Sequence, residues 1–193
     1  MKTRKIQFNS PVVLTFSALS LVALILSAIT KGASNRLLFS AYRSSLSNPL
    51  TYLRLFTHVL GHSGYEHFIN NMMLFLVIGP PMEEKYGSRD ILLAIIITAF
   101  ISGIVQMVFF PGIAIMGASG IVFMLIVMSS LAGMKDGRIP LTLVLVLLIY
   151  LGGEIYTGIT QRDNVSQLSH ILGGLCGAVI GYGLESMRTG KKA

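Results

Sequence analysis

Apolar residues dominate six stretches of the chain, at about 12–29, 67–80, 91–110, 119–133, 141–156 and 166–184, with polar clusters between them. None of the six alternates in polarity as a barrel strand would, and their lengths, some of them short, suit helices crossing a bilayer. The pattern predicts an all-α, polytopic membrane protein. Six transmembrane helices pack as one bundle, and residues 1–193 form a single membrane domain. The first run follows Lys2, Arg4 and Lys5, as a secretory signal would. Its apolar core is longer than a usual signal core, and no small-x-small site follows, so it reads as the first helix. The long loop at about 31–66 mixes Leu, Phe and Tyr with arginines and is expected to lie in the membrane interface.

Composition narrows the class. Hydrophobic residues make up 53% of the 193, and charged residues only 12%, too few to cover a soluble surface. The net charge of +7 would suggest nucleic acid for a soluble chain, but here the basic residues sit at the ends of apolar runs. That placement fits topology control and anionic membrane lipid, and no nucleic-acid partner is expected. With six spans, ten Lys and Arg fall on the side of the termini (Lys2, Arg4, Lys5, Lys85, Arg89, Lys135, Arg138, Arg188, Lys191, Lys192). Five fall opposite (Lys31, Arg36, Arg43, Arg54, Arg162). Both termini are therefore expected in the cytoplasm. Short loops suit a bacterial cytoplasmic membrane, and no appended domain, repeat or low-complexity segment is visible. Cys176 is the sole cysteine, which excludes an internal disulfide and a Cys-based metal site and leaves a small packing residue.

Depth brings the polar residues together. The second, fourth and sixth runs point the same way, and each carries polar side chains near its outer end: His67 and Asn71, Ser119, and His170. Ser119 to Met134 is 16 residues, about 24 Å of helix against a hydrocarbon core of about 30 Å, which leaves Ser119 roughly 6 Å below the outer surface. The preceding Phe109–Met116 stretch, with Pro111 and Gly112, must then dip into the bundle as irregular backbone. A final helix starting near Ser166 carries His170 to a similar depth, as the turn from His67 carries Asn71. His170, Gly173, Gly174, Gly177 and Gly181 share one face, a close-packing seam. Gly117, Ala118 and Gly120 make the start of the fourth helix equally small.

These residues are the parts of an acyl-transfer site. A serine hydroxyl needs a base to take its proton, and histidine is the usual one. The tetrahedral intermediate needs donors, which the Ser119 backbone N–H, the His67 ring and the Asn71 amide could supply. Each piece also has a plain reading: Ser119 as a helix N-cap, His170 as an interhelical donor, His67 and Asn71 as caps or water ligands. Their conjunction at one depth favours the site. Phe123, one turn below Ser119, could orient the imidazole by stacking. No acid stands out behind His170, so the arrangement is a dyad. His58 and His62 have i, i+4 spacing suited to a metal, but no His-Glu-x-x-His pattern or partner carboxylate accompanies them. No metal and no cofactor are expected; the two are read as interfacial polar residues that bridge the long loop and hold water near the site.

In order, the chain carries Arg54, His58, His62, then His67-Phe-Ile-Asn-Asn71, Glu83-x-x-x-Gly87-Ser88, Gly117-Ala-Ser119-Gly120, and His170-x-x-Gly173-x-x-x-Gly177. From about Tyr52 to Tyr182 the sequence resembles the rhomboid family of intramembrane serine proteases. The resemblance implies a six-helix rhomboid-like bundle with Ser119 as nucleophile and His170 as general base. It implies an oxyanion hole of His67, Asn71 and the Ser119 N–H; Gly117, Gly120, Phe123, His58, His62, Gly173 and Gly177 stand as the supporting residues read above from packing, stacking and spacing. It also implies that the fifth helix and the loop Thr157–Val165 gate and cap the site, and that the substrate is a transmembrane protein unwound near the outer surface. Two positions depart from the family pattern: Leu53-Arg54 stands for its Trp-Arg pair, and Phe123 for its usual tyrosine. The other readings are a client-binding protein of the same fold that does not cut, and a His-based metal-dependent membrane hydrolase or transporter.

Overall fold

Pro11 opens the first helix, α1 (Pro11–Ile29), where a missing N–H costs nothing. No side chain caps it locally. Its cap comes from the far end of α4 (Tyr65–Tyr86): Glu83 Oε1 accepts from the Val12 N–H at 3.0 Å, and Oε2 accepts from the Val13 N–H at 2.9 Å. Ser88 Oγ donates to the same carboxylate at 2.6 Å. A buried carboxylate with three donors at a helix N-terminus is well satisfied. This explains the Glu83-x-x-x-Gly87-Ser88 spacing, which sequence reasoning attached only to a resemblance.

The computed structural model describes residues 7–133, 138, 140–149, 152 and 164–190. After α1 come two helices of the long loop, α2 (Ala33–Leu38) and α3 (Pro49–Thr57), and a 3₁₀ turn at His58–Leu60. Then follow α4, α5 (Ser88–Phe109), α6 (Ser119–Leu131), α7 (141–149) and α8 (Asn164–Gly190). The remainder of the fifth apolar run, to 156, lies outside the described residues apart from 152. So do residues 157–163 of the expected capping loop, whose last two residues belong to α8.

The described residues are helical apart from loops and one isolated bridge. Three helices (α1, α5 and the Leu168–Arg188 part of α8) are each long and apolar enough to cross a membrane, and α6 is a shorter apolar helix. The protein is an integral, multi-pass membrane protein. Where the sequence pattern ended the second span at Pro80, the helix runs on to Tyr86. Two prolines remove two backbone donors, but Met82, Glu83 and Tyr86 beyond them are buried, and the Glu83 cap of α1 holds that turn in place.

The most extensive helix pairing is α6 against α8. Ile121, Met124, Leu125 and Met128 of α6 are fully buried, so this short helix forms the centre of the core. At the ends remote from Ser119, Lys85 pairs with Glu185 at 2.9 Å, Tyr86 donates to the same carboxylate at 3.2 Å, and Lys85 also donates to the Ala132 carbonyl. These contacts tie the ends of α4, α6 and α8 together. The long loop is not a passive surface strand. Arg54 is 2% exposed, donates to Leu37 O, Ser44 Oγ and Thr51 Oγ1, and lies over the Tyr42 ring at 4.3 Å. Through its two terminal nitrogens, while Nε is buried without a partner among the described residues, the guanidinium ties α2, α3 and the segment between them together with uncharged acceptors. Tyr52, Leu53 and Phe56 leave α3 with an exposed apolar face.

Candidate active site

Residues 110–118 leave the helical path between α5 and α6, as depth arithmetic requires. Irregular backbone inside a bundle must have its polar groups satisfied. Ala41 and Ile115 exchange both backbone hydrogen bonds at 2.9 Å, the Gln106 amide donates to Ile113 O at 2.8 Å, and the Gly117 N–H donates to His58 O at 3.0 Å. Gly117 has φ +129°, which a residue with a side chain rarely adopts, and an added Cβ would strike the His67 ring. The segment is thus held on three sides and turns at Gly117 into α6.

Ser119 is the first residue of α6. The N-cap position belongs to Ala118, whose carbonyl accepts the first helical bond, from Val122 at 2.9 Å. Ser119 therefore does not serve as the N-cap, and its own N–H falls among the first-turn donors that have no acceptor within the helix. Ser119, Gly117, Gly120, His67, His58 and Ser102 line one cavity of about 350 Å³.

Close helix approach carries α8 to this point. A Cβ on Gly173 would lie 2.1 Å from Gly120 O, one on Gly177 2.4 Å from Met124 O, and one on Gly120 3.2 Å from Ser169 O. His170 stacks face to face on Phe123, with ring centroids 4.3 Å apart and planes 5° apart. Phe123 stands one turn below Ser119 on the same helix face, and the residue before His170 in the chain, Ser169, presents its carbonyl to Gly120, next to the serine. Asn71 is buried one turn behind His67, and its amide donates to His67 O at 3.0 Å.

His58 and His62 are buried rather than interfacial. His58 Nδ1 donates to Arg54 O at 3.1 Å, and His62 Nδ1 donates to Leu60 O at 3.0 Å, so both rings bind the loop to itself. Burial lowers each from 6.5 to about 4 and keeps them neutral at neutral pH. His58 Nε2 lies 3.3 Å from Ser102 Oγ, a second serine–histidine contact. The Ser102 hydroxyl, however, is shared with Thr98 O at 2.8 Å, and a ring that protonates only near pH 4 is a weak base. That pair forms a polar wall of the cavity. Ser102 and Gln106 belong to no motif in the sequence. The signal was available in their four-residue spacing on the face of α5 that turns inward.

The two depressed histidines predict a pH effect. Between pH 6.5 and about 4 the unfolded chain binds protons at these rings that the folded chain refuses. Stability should therefore fall as pH drops through that window, by a few kcal/mol in total, and level off below it. Thermal unfolding in micelles from pH 7 to 4 measures this. His62→Asn should shallow the slope, and an unchanged slope would remove the ring from the account.

A Rhomboid domain matches residues 49–186. Rhomboid-related protein 2 of Mus musculus is 27% identical over 158 residues, 71% of this chain and 52% of the relative. Rhomboid protease GluP of Bacillus subtilis (strain 168) is 28% identical over 171 residues, 84% of this chain and 33% of the relative. Rhomboid protease GlpG of Enterobacter sp. (strain 638) is 35% identical over 83 residues, 43% of this chain and 30% of the relative. The matched region thus spans between about a third and a half of these relatives' lengths. With the domain covering well over half of its residues, this chain belongs to the rhomboid family.

Proposed function

We propose that the protein is an intramembrane serine endopeptidase that cleaves transmembrane proteins near the outer membrane face. Ser119 is the nucleophile and His170 the general base. The observation that carries this reading is the stacking of His170 on Phe123, one turn below a serine that opens a helix in a cavity also lined by His58, His67 and Ser102. Ser119 Oγ would attack the scissile carbonyl as His170 takes its proton. The protonated ring would then give that proton to the leaving amine, and water would release the acyl group. The Ser119 N–H, the His67 ring and the Asn71 amide, once turned from His67 O, would stabilise the oxyanion. His58 and Ser102 give the cavity a polar wall suited to holding the hydrolytic water.

The substrate class follows from accessibility. A peptide bond in an intact helix is shielded by its own hydrogen bonds, so a helix-breaking sequence near the surface is needed to expose it. A second cavity of about 550 Å³ shares Ser63, Ile113, Ala114 and Met116 with the first. An unwound stretch of several residues could lie across both. Basic residues at the ends remote from Ser119, among them Lys85 and Arg188, support a cytoplasmic position for that end and a site beneath the outer surface.

A serine-directed fluorophosphonate applied to the purified protein tests the reading. The expected result is a single adduct on Ser119, with matching loss of cleavage of a helix-broken transmembrane substrate and no sensitivity to chelators. An adduct elsewhere, or substrate binding without cleavage, would favour a client-binding role; loss of activity to chelators would favour a metal-dependent one.

A further inference from the structure

The two nitrogens of the His67 ring face different surroundings. Ser63 lies four residues earlier, just before α4. Its backbone N–H donates to His67 Nδ1 at 3.4 Å, and its hydroxyl oxygen lies 3.1 Å from the same nitrogen. A backbone N–H can only donate, so this long contact favours Nδ1 as the acceptor, and the hydroxyl then donates to it as well. A neutral ring then carries its proton on Nε2. Nε2 is the nitrogen facing Gly117, where an added Cβ would stand 2.8 Å from it. Ser63, His67, Gly117 and Ser119 line one cavity. The proton is therefore on the cavity side of the ring.

His62 makes the contrast. Its ring lies edge-on to His67 with centroids 5.1 Å apart. Its Nδ1 faces the Leu60 carbonyl, which can only accept, so the proton of His62 sits on Nδ1. Two neighbouring neutral histidines are thus biased toward opposite tautomers, and because the Ser63 N–H reaches Nδ1 only at 3.4 Å, the hydroxyl at 3.1 Å is needed to hold His67 fully in one form.

We infer that Ser63 is a positioning residue: donating to Nδ1 from both its N–H and its hydroxyl, it holds His67 in the Nε2–H tautomer, so that a donor and not a lone pair faces an oxyanion formed at Ser119. The inference rests on the hydrolase reading only for its consequence. The opposite tautomer would aim a lone pair at a developing negative charge and cost transition-state stabilisation without weakening substrate binding. Ser63 is exposed, so its replacement leaves the core intact.

The test is nitrogen-15 NMR of histidine-labelled protein in micelles at neutral pH, with His67 assigned by its loss in His67→Gln. Wild type should show a protonated Nε2 and a bare Nδ1 at His67, and the reverse at His62. Ser63→Ala keeps the backbone donor but loses the hydroxyl. It should give a mixture of tautomers at His67 and about a tenfold lower kcat at unchanged KM, and Ser63→Thr should restore both. Protonated Nδ1 in wild type, or an unmoved tautomer in Ser63→Ala, overturns the inference. The expected tautomers without any cleavage by wild type would uphold it while removing the hydrolase reading.

Discussion

Ser119→Ala is expected to lower cleavage of a transmembrane substrate by about 10⁴-fold, His170→Ala by a similar factor, and the double variant by no more than either alone. A base has nothing to do without the hydroxyl it deprotonates, and the hydroxyl alone is a weak nucleophile. Under the proposed dyad the two residues act as one unit, and their losses should not multiply. A 10⁴-fold loss corresponds to about 5.5 kcal/mol of transition-state stabilisation. Phe123→Ala belongs to a lower tier. It leaves the pair intact but removes the ring on which the imidazole lies at 4.3 Å, and about a tenfold loss is expected as His170 samples other rotamers. Phe123→Tyr keeps the stack and should be close to neutral. Initial rates in proteoliposomes, normalised to folded protein, settle each value. Full activity in Ser119→Ala, or single losses that multiply in the double variant, would end the dyad account.

The candidate site could be drawn up from sequence because membrane depth makes position along a helix meaningful. Given a run of apolar residues and the side it starts from, His67, Ser119 and His170 could be assigned a common level before any fold was known. Phe123 followed from one-turn spacing, and the non-helical stretch before Ser119 followed from a helix too short to reach the surface. What was not legible depended on contacts between distant segments. Nothing near Val12 announces that the cap of α1 is Glu83, 71 residues away. The burial of His58 and His62 was missed for the same reason. A loop rich in Arg and aromatic residues reads as interfacial, whereas Arg54 and the carbonyls of Arg54 and Leu60 fold it inward. The α4 prolines misled because propensity treats them as a stop, while packing beyond them carries the helix on. Ser63 was invisible because its effect is on a proton, which has no trace in residue spacing.

The glycine seam gives the second large effect, and it separates residues that the sequence could not. Gly173 and Gly174 stand side by side in α8 and looked equivalent as members of one small face. A Cβ on Gly173 would lie 2.1 Å from Gly120 O and 2.8 Å from its carbonyl carbon, both backbone atoms that cannot rotate away. A Cβ on Gly174 would meet only Val127 Cγ2 at 3.8 Å, an ordinary contact. Gly173→Ala should therefore force α8 from α6 by about 1 Å, cost about 1–3 kcal/mol, and lower activity at least 100-fold, because the same shift carries His170 away from Ser119. Gly174→Ala should fold normally and gain a few tenths of a kcal/mol or more from the better helix former. Gly177→Ala, at 2.4 Å from Met124 O, should behave like Gly173→Ala. Thermal unfolding and cleavage measured on the three variants give the comparison. If Gly173→Ala and Gly174→Ala proved alike in both, close contact between α8 and the start of α6 could not be what delivers the imidazole to the serine.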